Sequence, residues 1–226
     1  MRRLVLLTCL VLVSTMVLAQ EKRKYSDHYY KRTAQFEQEA PITSNDIVML
    51  GDSLTEGGDW DEYFKDILPQ GTRIINRGIV GDDAPGIYDR LHQILPANPK
   101  KIFFLCGVND ISHHITVDSI MTDIERVVST IVESCPNTTL YIQSLLPFNE
   151  PHCKYKSMKG KTHTVKNVNA RLRKLAKKYN LEFIWLYDKF TAPNSRNLDM
   201  VFTTDGLHIN EAGYKIWSRT LRKYIK

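Results

Sequence analysis

No apolar run in this 226-residue chain reaches the ~20 residues that a membrane-spanning helix needs. There is no phosphate-cradling G-x-x-x-x-G-K, and no strand is followed by G-x-G-x-x-G, so nothing points to nucleotide or dinucleotide chemistry. Internal repeats and low-complexity linkers are absent, which argues against solenoid and multi-module architectures. Cysteine is scarce: Cys9, Cys106, Cys135 and Cys153 show no metal-type spacing, and at most one intrachain disulfide can form among the last three. Neither charge sign dominates. The formal net charge is +6, much of it in terminal segments such as Lys22-Arg23-Lys24 and Arg222-Lys223, which read as solvated ends rather than a nucleic-acid surface. The sequence calls for no cofactor and no metal, and it is silent on oligomeric state.

What is present begins with an address. Met1-Arg2-Arg3 is a short positive start, Leu4 to Leu18 is almost wholly apolar, and Val17-Leu18-Ala19 offers a cleavage site. This predicts a secretory signal over residues 1–19 and a secreted or periplasmic product without an integral membrane span. A membrane anchor is the bland alternative. Leu6-Leu7-Thr8-Cys9 resembles a lipidation box, but Cys9 lies too early. Residues 20–46 read as a polar leader containing Tyr25, Tyr29, Tyr30 and Phe36, able to form a helix against the domain that occupies 47–226. The composition, 42% hydrophobic and 25% charged, suits one globular domain with a sizeable core.

That domain is organised around Ile47-Val48-Met49-Leu50-Gly51-Asp52-Ser53, four apolar residues running into a turn. Such a run is a buried parallel strand. Further strands are predicted at 73–76, 101–106, 139–146 and 182–187. They alternate with helices at 60–68, 84–95, 116–135, 162–179 and 210–224. Alternation of this kind means right-handed crossovers, hence an α/β fold: a flavodoxin-like, doubly wound, five-stranded parallel sheet with helices on both faces. The unusual loops all follow strand ends and therefore share one rim, where such sheets bind ligands.

Ser53 stands on that rim and, as a nucleophile, needs a base. Asp205-Gly206-Leu207-His208 puts a carboxylate and an imidazole three residues apart just before the last helix, so Asp205 can orient His208 while its other ring nitrogen faces the serine. The bland reading is a helix cap at Asp205 with an exposed histidine. Acyl transfer also needs donors for a developing oxyanion. Gly81, in the turn after the second strand, and Asn109, after the third, lie on the same rim, although each alone is ordinary turn chemistry. His113-His114 is a poor metal pair, since adjacent residues point apart. Asp82-Asp83 could hold a cation but is more simply the cap of the helix beginning near Ala84.

Taken together, Gly51-Asp52-Ser53-Leu54, Gly81, Gly107-Val108-Asn109-Asp110 and Asp205-Gly206-Leu207-His208 resemble, in order and spacing, the SGNH (GDSL) esterase and lipase family. The resemblance runs from Ile47 to the C-terminus. It implies the SGNH hydrolase fold, with Ser53 as nucleophile, His208 as general base and acid, and Asp205 as its orienter. The oxyanion hole it implies comprises the Ser53 and Gly81 amides and the Asn109 side chain. The sequence departs from the commonest family ending in having Ile209 where proline often follows the histidine. It lacks the G-x-S-x-G elbow of α/β-hydrolases, because position 55 is Thr.

The reading that follows is a secreted serine esterase removing small acyl groups, acetyl foremost, from carbohydrates such as O-acetylated glycans or sialic acids. It is similar to secreted carbohydrate acetylesterases, including sialate O-acetylesterase-like and platelet-activating-factor acetylhydrolase-like members. No lid insertion is visible to hold a long acyl chain. Leu54, Trp60, Arg77, Phe148 and Phe202 are the candidate substrate contacts: aromatic rings, Tyr88 among them, to stack on a sugar, and Arg77 to pair with a sialate carboxylate. The rivals are a lysophospholipase or thioesterase on the same triad, a metal-dependent phosphoesterase using Asp52, Asn109 and His208, and a non-catalytic carbohydrate-binding protein.

Overall fold

Five short strands, each rich in β-branched, aromatic or aliphatic residues, carry the architecture: β1 (Ile47–Gly51), β2 (Ile74–Gly78), β3 (Lys101–Leu105), β4 (Thr139–Gln143) and β5 (Glu182–Ile184). The structure is a computed structural model and describes residues 23–226. Every residue of β1 and β3 is buried, as expected for central strands covered on both faces. All pairings are parallel and the strand order is β2-β1-β3-β4-β5. The predicted flavodoxin-like sheet is thus the observed one.

The helices are α1 (Asp27–Gln38), α2 (Ser53–Glu56), α3 (Trp60–Phe64), α4 (Ala84–Asp89), α5 (Val108–Ser112), α6 (Val117–Ser134), α7 (Thr162–Lys178) and α8 (Glu211–Ile225). Helices α4, α6 and α7 pack side by side, and α3 packs on α8. Right-handed crossovers place these two groups on opposite faces. The chain leaves β1 toward β2 in one direction and leaves β2 toward β3 in the other. The carboxyl ends of β1 and β3 therefore flank the point where the winding reverses, and a crevice opens there. Ser53 follows β1, Val80-Gly81 follows β2 and Asn109 follows β3.

Several boundaries differ from the sequence expectation. The helix expected over 84–95 is α4 followed by two 3₁₀ turns, Leu91–Gln93 and Leu95–Ala97. Arg90, which breaks it, is drawn inward to a buried carboxylate and carries φ −104°, ψ 6°. The strands expected over 139–146 and 182–187 end at Gln143 and Ile184. Beyond them Ser144 Oγ accepts from the Leu186 and Tyr187 amides, so side-chain bonds replace the ladder. The helix expected over 60–68 stops at Phe64. The leader contributes α1, capped by Ser26. Among the described residues no helix is long and apolar enough to cross a membrane. Cys106, Cys135 and Cys153 are all free thiols. The predicted signal, with Cys9, lies outside the described residues.

Candidate active site

Ser53 is delivered by an abrupt stop. β1 ends at Gly51, where a Cβ would lie 2.5 Å from the Leu105 carbonyl oxygen of β3. Asp52 then caps α2, its Oδ1 accepting from the Leu54 amide at 3.0 Å. Ser53 is left half-buried at the first turn of α2, with its Oγ 3.0 Å from His208 Nε2.

His208 belongs to a turn built around Asp205. The carboxylate Oδ1 accepts from the Leu207 and His208 amides at 2.9 and 2.8 Å, and Oδ2 lies 2.8 Å from His208 Nδ1. Burial alone would raise the Asp205 pKa, but the His208 ring and those two amides outweigh it and hold the group at about 2. Asp205 therefore stays ionised, fixes the Nδ1–H tautomer and leaves Nε2 free to accept from Ser53. The cap of the last helix is Asn210 instead, so the helix-cap reading of Asp205 fails. Gly206 has φ +84°, and a Cβ there would sit 2.7 Å from the Cys153 Cα. That close approach lets loop 148–155 bond to the turn: the Asn149 amide donates to Gly206 O and the Lys154 amide to Asp205 O.

Across the crevice, Gly81 turns the chain with φ +79°, a conformation that strains any residue bearing a Cβ. Asn109 Nδ2 donates to Asp82 O at 2.7 Å. One amide hydrogen is spent on that bond, which orients the side chain and ties the β2 and β3 loops together. The second hydrogen remains for a ligand. Two loops that were only separately suggestive in sequence are thus one unit.

Beneath the rim lies a carboxyl cluster. Burial raises Asp52 and Asp110 to about 7 and Asp82 to about 6. Arg90 Nε bonds Asp82 at 2.8 Å and its Nη2 bonds Gly51 O at 3.0 Å, bracing the nucleophile strand from below. Asp52 Oδ2 and Arg90 Nη1 have no hydrogen-bond partner. Among the described residues no group of His, Cys, Asp or Glu is arranged to hold a metal ion.

A GDSL-like lipase/acylhydrolase family model matches residues 49–216, most of the chain. The protein belongs to that family. It is a serine-type ester hydrolase by family, and its geometry is that of an acyl-transfer site. No curated protein matches the chain. Among solved structures it is similar to a Streptococcus pneumonia protein provisionally named a platelet activating factor, at 27% identity and a TM-score of 0.78, over 88% of this chain and 93% of the other. It also resembles a GDSL-like lipase from Bacteroides thetaiotaomicron VPI-5482, at 20% identity and a TM-score of 0.70, over 87% and 96%. The acetyl xylan esterase AlAXEase shares the fold at 20% identity and a TM-score of 0.68, over 80% and 100%.

This GDSL-like hydrolase brings Ser53, Asp205 and His208 together and ties Asn109 to Asp82, the residue after Gly81, but it withdraws the expected substrate contacts. Leu54 is core. Trp60 is 2% exposed, stacks on Phe64, meets Trp217 edge to face, and donates Nε1–H to Thr55 O. Phe148 is buried, and Phe202 is half-buried with its ring edge on Phe190. Tyr88 lies under the Arg126 guanidinium. Arg77 is 3% exposed, salt-bridged to Glu39 at 2.6 Å and stacked on Phe36, so it meets α1 rather than a substrate. Asp83 caps α4 and pairs with Arg23, consistent with the capping account. Tyr155 is not among the contacts the sequence suggested. Its hydroxyl lies 3.2 Å from His208 Nδ1 and donates to Asp205 Oδ2 at 3.3 Å, a placement that no local pattern announces.

Proposed function

We propose that the protein is a secreted serine esterase that removes small acyl groups, acetyl foremost, from carbohydrate esters. The observation that carries the reading is the unbroken chain Ser53 Oγ, His208 Nε2, His208 Nδ1, Asp205 Oδ2, with links of 3.0 and 2.8 Å. In this mechanism His208 takes the Ser53 proton as Oγ attacks the ester carbonyl. The oxyanion forms against the Ser53 and Gly81 amides and the free Asn109 hydrogen. His208 then protonates the departing alcohol, and water repeats the sequence on the acyl-enzyme.

Proton return puts the alcohol on the His208 side, beside Tyr155. There an open depression of about 760 Å³ is lined by Glu150, Tyr155, Lys156, Lys159 and Asn197. Tyr155, 41% exposed, supplies a face for a sugar ring in place of the buried candidates. The acyl group then lies toward Val80 and Gly81, where a hollow of about 490 Å³ is walled by Arg23, His28, Asp82, Asp83 and His113. Charged walls suit an acetyl group better than an alkyl chain. The acetyl xylan esterase on the same fold supports a sugar-borne acetyl ester, and the apolar N-terminal stretch supports export.

The test is acetate release from neutral and acidic O-acetylated sugars, beside p-nitrophenyl esters of increasing acyl length. Rates should fall sharply beyond about four carbons. Rates that climb toward octanoyl or palmitoyl esters would favour the lysophospholipase or thioesterase alternative.

A further inference from the structure

Glu56 is the last residue of α2, three positions after Ser53, and its side chain is 19% exposed. Its Oε2 accepts from the Val80 amide at 2.6 Å. Val80 immediately precedes Gly81, and its own side chain is 49% exposed, so the β2 turn projects from the surface with this carboxylate as the anchor of that amide. The nucleophile helix and the oxyanion turn are therefore joined directly by one side chain.

Two residues of α1 hold that side chain in turn. His28 Nε2 lies 3.0 and 2.9 Å from the two carboxylate oxygens, and Arg32 Nε lies 3.4 Å from Oε1. Helix α1 is fixed independently of Glu56. Tyr29 donates its hydroxyl hydrogen to Gly86 O at 2.9 Å, Tyr25, just ahead of the helix, donates to Asp89 at 2.6 Å, and the Phe36 ring meets the guanidinium groups of Arg32 and Arg77. All of α1 lies before residue 49, where the family match begins.

We propose that Glu56 is a positioning residue for the oxyanion hole and that α1, through His28 and Arg32, is the part of the molecule that makes a carboxylate tolerable there. The inference rests on the esterase reading above. The Val80–Gly81 peptide must keep one orientation if the Gly81 amide is to meet a developing oxyanion, and a preorganised donor is worth far more than one that must reorient. A bare carboxylate one residue from that donor would oppose the negative charge of the transition state. Arg32 offsets the charge and His28 fixes the carboxylate by hydrogen bonding. An ordinary surface ion pair would contribute little, and its removal would leave turnover alone.

The experiment is steady-state hydrolysis of p-nitrophenyl acetate by the full chain, with thermal melting of each variant alongside. Glu56→Ala should lower kcat about tenfold or more, a fraction of the ~10²–10³ that a directly donating group supplies, with KM within about twofold. Glu56→Gln should recover kcat to within about threefold, because its amide oxygen still accepts from Val80 and carries no charge. Arg32→Ala should cost several-fold in the native background and almost nothing in the Glu56→Gln background, because the charge it offsets is gone. Unchanged kcat in Glu56→Ala with a lowered melting temperature would overturn the proposal. So would a Glu56→Gln variant as slow as Glu56→Ala, or an α1 effect that survives in the Glu56→Gln background. Ser53→Ala and Asn109→Ala are measured in parallel. If those two retain full activity the esterase reading itself fails, whereas loss of activity there with an indifferent Glu56→Ala sinks only the positioning role.

Discussion

Strand β1 is flanked by two aspartates that meet opposite fates. Asp46, just before the strand, is 1% exposed yet fully engaged: it accepts from the Thr43 amide and hydroxyl and from Arg73 Nε and Nη2. Burial alone would raise its pKa, but Arg73 and Thr43 outweigh that and hold it below the usual carboxylate range. Asp52, just after the strand, is as deeply buried, has one amide on Oδ1 and none on Oδ2, and is pushed up to about 7. The same contrast extends across the sheet. At the amino end Lys101 Nζ donates to the last three carbonyls of the chain, Tyr224, Ile225 and Lys226, satisfying the end of α8. At the carboxyl end Arg90 keeps an unpartnered nitrogen, and Asp82 and Asp110 join Asp52 in being raised. One end of the sheet closes its polar groups for stability. The other leaves electrostatic cost in place beneath the residues that face the ester, as functional sites commonly do.

The contrast is broken most severely at the rim. In the proposed mechanism Asn109→Ala removes a transition-state donor, and it releases the Asp82 carbonyl. It should lower kcat by about 10²–10³ with a small effect on KM and on the melting temperature. A pure KM effect would make Asn109 a substrate-binding residue instead.

At the opposite end the outcome should invert. Asp46→Ala leaves the partly exposed Arg73 guanidinium and two Thr43 donors without their acceptor and should cost about 1–3 kcal/mol of stability, read from a urea midpoint. The surviving folded fraction should turn over at the native rate. Lost turnover at an unchanged midpoint would show that the two ends are not separate in role.

The smallest effect is a slope. Asp52 and Asp110 at about 7 hold protons in the folded state that the unfolded chain releases near pH 4. Their contribution to stability is complete at about pH 4 and is lost as pH rises toward 7. Asp205, at about 2, acts in the opposite sense, losing its contribution as pH falls from about 4 toward 2. Asp52→Asn should therefore flatten the decline in melting temperature between pH 5 and 7.5 relative to the native chain, about in proportion to its share of the cluster. An unaltered slope would mean that Asp52 is ionised throughout.

The sheet was legible because β1 and β3 are continuous apolar runs and because α6 and α7 repeat with a helical period. Ser53, Asp205, His208, Gly81 and Asn109 were legible because strand-end turns advertise themselves through glycine, aspartate and asparagine. The substrate contacts were not. Trp60 opens a helix and Phe148 follows a strand end, both beside the rim on paper, and only tertiary packing sends them inward. Arg77 looked available because its partner, Glu39, stands 38 residues earlier on a segment whose docking no local pattern predicts. Tyr155 and Glu56 were hidden for the same reason: each acts through a contact with a distant turn, and chain position alone does not encode it.

The most direct test of the account uses a fluorophosphonate, which reacts fast with a serine whose proton a neighbouring base takes as its oxygen attacks and whose site has an oxyanion hole. Intact protein should gain one adduct mapped by peptide mass to Ser53. Labelling should be abolished in Ser53→Ala and slowed by orders of magnitude in His208→Ala, with esterase activity lost in step. An adduct on another residue, or full esterase activity after Ser53 is blocked, would contradict it.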